Sequence, residues 1–292
     1  MITFFTTCKN FTGLFGVIQN NAIKSWFSLG IPVEVIVFGN AEGLEDLKIE
    51  LPIVHIPEVK AFEGRVPYIN AMFQKANEIA KYDIVCFLNA DIIVTPPFVE
   101  KMFAVHNKLL KNYLVVGQRI NFEIDELLEF GGGWVERLKN YTSKGELHDA
   151  EGSDLFLFPK GQYGVGTIPD LLVGRPGWDL WMIFDARQKR YKTIDLSRDY
   201  LIFHQNHDYS HKISNEVKRK EEDNRNYFFI PEKARYIFQL YACDYEVIDG
   251  KVVKKNAFEN IAATVYHHEL LFGKSNLRYW WWRFLMLFYK NK

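Results

Sequence analysis

From Met1 to Leu88 the chain alternates between two periods, and that alternation limits what it can fold into. Met1-Ile2-Thr3-Phe4-Phe5-Thr6-Thr7 reads as a strand, after which Phe15, Ile18, Ala22, Trp26 and Leu29 recur at spacings of three and four, the stripe of one helical face. Gly30 and Pro32 stop that helix, and Val33-Glu34-Val35-Ile36-Val37-Phe38 returns to strand chemistry before the turn Gly39-Asn40. A short strand around Ile53 to Ile56 follows, then a helix carrying Ile69, Met72, Phe73, Ala76 and Ile79, then the strand Asp83 to Leu88. This order predicts an α/β fold with a mostly parallel central sheet flanked by helices. Such sheets bind ligands at the carboxyl ends of their strands, so Thr6 and Thr7, Asn40, and Asn89 with Asp91 are expected around one crevice.

After a helix from Phe98 and a strand at Tyr113 to Arg119, regular alternation lapses. Phe122 to Lys160 mixes Gly131-Gly132-Gly133 with short amphipathic pieces. The pattern returns with a helix from Asp179 and strands near Lys192 to Asp195 and Tyr200 to Phe203. Beyond His211 the chain is charged, aromatic and predicted helical, with one hairpin at Asp249-Gly250 between Tyr245-Glu246-Val247-Ile248 and Lys251-Val252-Val253. At 292 residues this divides into one α/β core, residues 1–211, and a mainly helical C-terminal extension, residues 212–292, with no internal repeat.

Composition narrows the function classes. Apolar residues at 48% and charged ones at 25% argue against long disordered segments. Lys plus Arg equals Asp plus Glu at 36 each, so no global field points to nucleic acid. The N-terminus lacks the basic start and long apolar stretch of a secretion signal, so a cytosolic location is expected. Cys8, Cys86 and Cys243 show no metal-type spacing and are read as reduced packing residues. No run reaches the ~18 to 20 apolar residues that cross a bilayer.

Three constellations could carry chemistry. Asn89-Ala90-Asp91 follows five apolar residues, Ile84 to Leu88, so its polar groups emerge where a buried strand meets a cleft; a hard divalent ion beside a diphosphate needs few carboxylates there, although Asn and Asp also simply end strands in turns. In Val173-Gly174-Arg175-Pro176-Gly177-Trp178-Asp179 a glycine loop runs into a helix, and Asp179 is either a general base or an N-cap. In His204-Gln205-Asn206-His207-Asp208-Tyr209-Ser210-His211 three histidines lie within eight residues, which suits metal or phosphate contacts, with a backbone hydrogen bond the plainer role for any one of them.

In this order the three pieces resemble the GT-A glycosyltransferases, over roughly Met1 to His211, and look similar to a group of bacterial nucleotide-diphospho-sugar transferase-like proteins. The specific segments are Ile18-Gln19-Asn20-Asn21-Ala22-Ile23-Lys24-Ser25-Trp26, Val116-Gly117-Gln118-Arg119 and the histidine run. The resemblance implies a GT-A catalytic domain in residues 1–211 that transfers a sugar from a UDP-, GDP- or dTDP-sugar to a glycan or lipid-linked acceptor with inversion, in cell-surface polysaccharide synthesis. It implies that Asp91 and His204 bind Mn2+ or Mg2+, with His207 a rival for the histidine role, and that Asp179 is the base. It also places Thr6 and Thr7 around the base and ribose with Asn40 or Glu42 near the base, Arg65 near the diphosphate, Asp154 near donor or acceptor hydroxyls, and Asn89, Ala90, Gly177 and Trp178 along the donor cleft. One departure matters: Asn89 stands where the family's metal motif has its first carboxylate.

Two rivals stay open, a sugar nucleotidyltransferase and a non-catalytic nucleotide- or glycan-binding protein. Against the first, Cys8-Lys9-Asn10-Phe11-Thr12-Gly13 is a poor match to a phosphate-binding loop. The C-terminal run Leu277 to Lys290 is aromatic and basic, with no acidic residue after Glu269; it suits either the inner face of the plasma membrane, as a peripheral contact, or packing on the core or on a second copy in a homo-oligomer.

Overall fold

The computed structural model describes residues 1–150, 153–207, 216–229, 238–256 and 261–289. Asp208 and His211, and Lys290 to Lys292, lie outside them. The chain begins β1 (Ile2–Thr7), α1 (Gly13–Phe27), β2 (Val33–Phe38), α2 (Leu44–Glu50), β3 (Ile53–Ile56), β4 (Ala61–Phe62), β5 (Val66–Pro67), α3 (Ile69–Ile79), β6 (Ile84–Leu88), β7 (Ile92–Ile93), α4 (Pro97–Leu109) and β8 (Tyr113–Val116). It continues β9 (Arg119–Phe122), α5 (Trp134–Thr142), β10 (Glu146–Leu147), β11 (Leu155–Pro159), α6 (Trp178–Gln188), β12 (Lys192–Asp195), β13 (Ile202–Gln205), α7 (Glu216–Phe228), β14 (Tyr245–Ile248), β15 (Lys251–Lys254), α8 (Ile261–Phe272) and α9 (Leu277–Tyr289).

The main sheet has the order β15-β14-β12-β8-β11-β6-β1-β2-β3. Its neighbours are parallel except at β11, which runs antiparallel between β6 and β8, and at the edge strand β15. Burial on both faces explains the unbroken apolar strands. Phe5, Phe87 and Phe156 face a core built with α3 and α6, whereas Phe4, Cys86 and Leu155 face one built with α1 and α4. Aromatic packing fills the first core, with the Phe5 and Phe73 rings edge to face at 4.9 Å. Each such side chain stabilises the fold by about 1.5–3 kcal/mol through burial. The architecture is the helix-flanked, mostly parallel sheet that the alternation predicts.

Three features depart from the expectations. The strand predicted through Arg119 ends at Val116 because Ser153 Oγ takes both the N–H and the C=O of Gly117 at 3.2 Å and Ser197 Oγ takes the N–H of Gln118 at 2.8 Å, which stops the ladder. The chain then enters a second, smaller sheet, order β10-β9-β13-β7, which also receives the strand predicted at Tyr200 to Phe203, shifted to Ile202–Gln205. Finally, the β14–β15 hairpin joins the main sheet through β14 beside β12, so residues beyond 211 share the core rather than standing apart as an extension.

Candidate active site and metal centre

The topology brings the carboxyl end of β6 against the small sheet. Asp91 occupies the turn between β6 and β7, and His204 in β13 pairs in register with Ile92 of β7. Gln205 fixes this junction, its backbone N–H and its Nε2 both donating to the Asp91 carbonyl at 3.2 and 3.1 Å. His207 follows two residues later, its ring 5.1 Å from that of Phe15 in α1. Asp91 Oδ2 lies 3.2 Å from His207 Nε2 and 3.6 Å from His204 Nε2. Both histidines that compete for one role in the sequence therefore meet the same carboxylate.

Asp91, His204 and His207 each offer a ligand atom within 4.8 Å of the others. Metal bonds of about 2.0–2.2 Å hold neighbouring ligand atoms roughly 3–4 Å apart, so little closure is needed for a divalent ion to sit among them. Asp91 Oδ1 and His204 Nδ1 are buried without a hydrogen-bond partner among the described residues, and a buried carboxylate oxygen left bare is costly unless something fills its place. The residues present fit an ion. Burial alone would raise the Asp91 pKa, but the charge and hydrogen bonds of His204 and His207 outweigh it and hold the carboxyl far below the usual range. Burial, and then the charge of Asp91, push the Cys8 thiol up, so without an ion it stays protonated.

Asn89 has a different task. Its Nδ2 donates to Asp154 Oδ1 at 2.6 Å, while Arg119 pairs with Asp154 Oδ2. Asp154 is thus held between an amide and a guanidinium, and a carboxylate at position 89 would repel it. The charge of Asp154 reaches Asp179 in the first turn of α6; burial first, then Asp154, raise the Asp179 pKa to about 6, against backbone hydrogen bonds from Leu180, Asp179 itself and Ser153. Asp179 does not cap the helix. That position belongs to Gly177 in the left-handed region at φ 96°, which strains any residue with a Cβ.

The remaining candidates are divided. Thr7 Oγ1 donates to the Phe38 carbonyl at 3.0 Å and Asn40 is exposed beyond β2, both at the same sheet edge as Asp91. Thr6 is 0% exposed and donates to the Thr7 carbonyl, so its side chain offers no surface to a nucleoside. Ala90 is buried. Trp178 packs on Phe87 and Phe156 with ring separations of 5.3 and 4.7 Å, as a core residue under α6. Arg65 is half-exposed and engaged with Glu63 and with Glu222 of α7 at 3.2 and 3.1 Å, an ion-pair network on α7.

The structure gives individual roles to residues that the sequence named only within longer segments or not at all. Gln19 in α1 accepts from the Lys9 N–H at 2.7 Å and donates to the Lys9 carbonyl at 2.9 Å. Lys9 Nζ sits 3.9 Å over the Phe15 ring, whose centroid lies 5.1 Å from that of His207. Asn21 donates to Gln205 Oε1 at 3.1 Å and Gln205 donates to the Ile18 carbonyl at 2.8 Å, tying α1 to β13. Those amides account for the Ile18–Trp26 and His204–Gln205 segments as scaffolding. On the other side Asn226 of α7 accepts from the Leu172 N–H at 2.7 Å and donates to the Leu172, Arg175 and Pro176 carbonyls, and Glu222 pairs with Arg175 at 2.6 Å; α7 thereby holds the glycine loop.

Fold and site together define an α/β protein with a carboxylate–histidine cluster and a high-pKa aspartate at the carboxyl edge of its parallel strands. No protein-family model and no curated protein matches the sequence. Solved structures do: S. aureus TarS 1–349 in complex with UDP-GlcNAc is similar at 11% identity over 94% of this chain and 74% of that one, TM-score 0.49. Glucosyl-3-phosphoglycerate synthase from Mycobacterium tuberculosis in complex with Mn2+, UDP and phosphoglyceric acid is similar at 15% identity over 78% of this chain and 76% of that one, TM-score 0.44. Another structure of TarS 1–349 matches at 10% identity and TM-score 0.43 over 70% of this chain, which spans 60% of that relative's length.

Proposed function

We propose that this protein is a glycosyltransferase that moves a sugar from a nucleotide-diphosphate donor to a hydroxyl of a glycan or lipid-linked acceptor, with inversion. One observation carries the reading: Asp91, His204 and His207 converge at the end of β6, and the Asn89–Asp154 contact links that cluster to Asp179, whose pKa of about 6 suits a base. Asp91, His204 and His207 would hold a divalent ion, which when bound offsets charge on the departing diphosphate. Two imidazoles beside one carboxylate favour Mn2+ over Mg2+, which prefers oxygen ligands.

Asp179 takes the proton of the acceptor hydroxyl as its oxygen forms a bond to the anomeric carbon and the bond from that carbon to the diphosphate breaks. Asp154 has both oxygens engaged by Asn89 and Arg119, and its charge raises the proton affinity of Asp179. The cation nearer this end of the fold is Lys9, over the Phe15 ring that packs on His207, whereas the Arg65 to which the resemblance assigned the diphosphate is paired with Glu222 of α7. The test is incubation with labelled UDP-, GDP- and dTDP-sugars and Mn2+. Slow donor hydrolysis, lost by roughly 100-fold or more in Asp91→Ala, supports the reading, and binding without turnover of any donor sinks it in favour of a non-catalytic binding protein.

A further inference from the structure

The helix α9 turns an apolar stripe to solvent. Leu277, Trp280, Trp281, Phe284, Leu287 and Phe288 are each at least half exposed, from 51% at Phe284 to 86% at Leu277. At 100° per residue these six fall within about 120° of the helix circumference. Tyr279 points the opposite way and is 1% exposed, on the face that packs against α8. The stripe is therefore a formed surface on a docked helix. Single exposed apolar residues are ordinary, but a contiguous aromatic face marks something that covers it.

Charge decides the occupant. Arg278 and Arg283 are exposed and their positions fall on either side of the stripe, Arg283 donating to Tyr279 Oη at 3.0 Å; Lys274, paired with Glu269 at 3.5 Å, precedes the helix, and in sequence no Asp or Glu follows Glu269 while Lys290 and Lys292 extend the run. A second copy of α9 laid face to face would set arginines against arginines with no acid on either helix to answer them. An anionic phospholipid surface answers both features, with phosphates for the arginines and acyl chains for the stripe, and Trp favours the boundary between them. The helix has 13 residues and is therefore about 20 Å long against a hydrocarbon layer of ~30 Å, and no helix among the described residues is long and apolar enough to cross a membrane. We propose that α9 lies in the plane of an anionic bilayer, its stripe among the outer acyl segments and Arg278 and Arg283 on the phosphates.

The test uses the full chain and co-sedimentation with phosphatidylcholine vesicles, with and without phosphatidylglycerol. Binding to the anionic vesicles, weakened by salt, is expected. The variant Trp280→Ser/Trp281→Ser/Phe284→Ser alters exposed positions only and should lose binding by at least about tenfold with an unchanged melting temperature. Arg278→Gln/Arg283→Gln should lower anionic binding by roughly tenfold and leave the weaker neutral-vesicle binding alone. Full-length protein that stays in the supernatant with anionic vesicles overturns the proposal, as does a dimer by light scattering that the triple variant splits while vesicles capture neither form. Donor hydrolysis in the triple variant should match the parent, which keeps this result separate from the fate of the transferase reading.

Discussion

At position 89 the amide donates to Asp154 at 2.6 Å, and an aspartate there would aim a second carboxylate at the same oxygen. Asn89→Asp, which restores on paper the metal motif of the family the sequence resembles, is expected to destabilise the protein by roughly 1–3 kcal/mol at pH 7 through the lost hydrogen bond and like-charge repulsion, without tightening Mn2+. Melting temperatures should show the deficit shrinking at pH 4. Asp179 makes a second prediction. Its folded pKa of about 6 lies above the ordinary value, so the stability it contributes is complete at low pH and is lost as pH rises through about 6. Asp179→Asn should therefore stabilise the protein at pH 8, by about 1–3 kcal/mol, and change little at pH 4, while abolishing transfer. The parent's transfer rate should climb through about pH 6 and level off above it. Asn89, Asp91, Asp179, His204 and His207 were all legible as candidates because each follows a recognisable strand or loop. Asp154 and Arg119 were named too, Asp154 near donor or acceptor hydroxyls and Arg119 within a specific segment, but their pairing with each other and with Asn89 joins distant parts of the chain and carries no local signal.

Among the elements, α7 shows most clearly where local pattern runs out. In sequence Glu216–Phe228 is a charged helix, and a solvated surface is its ordinary fate. In the fold Glu222 is 1% exposed and Asn226 is 0% exposed, because they answer Arg65, Arg175 and the backbone of the glycine loop. Those partners lie 157, 47 and 54 residues away. Asn226→Ala should leave Leu172 without its side-chain partners, cost roughly 1–3 kcal/mol, and speed hydrogen exchange at Leu172 by about tenfold or more. A loop that exchanges as before would show that α7 is not its support. The antiparallel β11 is a similar case. Leu155-Phe156-Leu157-Phe158 has strand composition, but its direction is set by pairing Leu155 with Leu88, and direction leaves no mark on composition.

For the molecule as a whole, the parallel half of the sheet was readable because strand and helix periods alternate there, whereas the small sheet was not, since β7, β9, β10 and β13 are two to four residues each and find one another only in three dimensions. The far edge of the main sheet belongs to β14 and β15, with Val247 and Val252 in the core and Lys255 paired with Asp195 at 2.9 Å. A fragment of residues 1–211 would bare β12 and that core, and it is expected to be insoluble or to lose its cooperative melting transition.

The bond between Asn21 and Gln205 spans 184 residues, and Asp91 reaches His207 across 116. Contacts so distant in the chain close late, because the entropy of the intervening loop must be overcome first. An ion bound at Asp91, His204 and His207 would thus act as a proof of completion, recognising molecules whose first and last thirds have already met and ignoring every partly folded form. Added Mn2+ should raise the melting temperature of the parent and not of Asp91→Ala, and in refolding the affinity for the ion should emerge in the slowest phase.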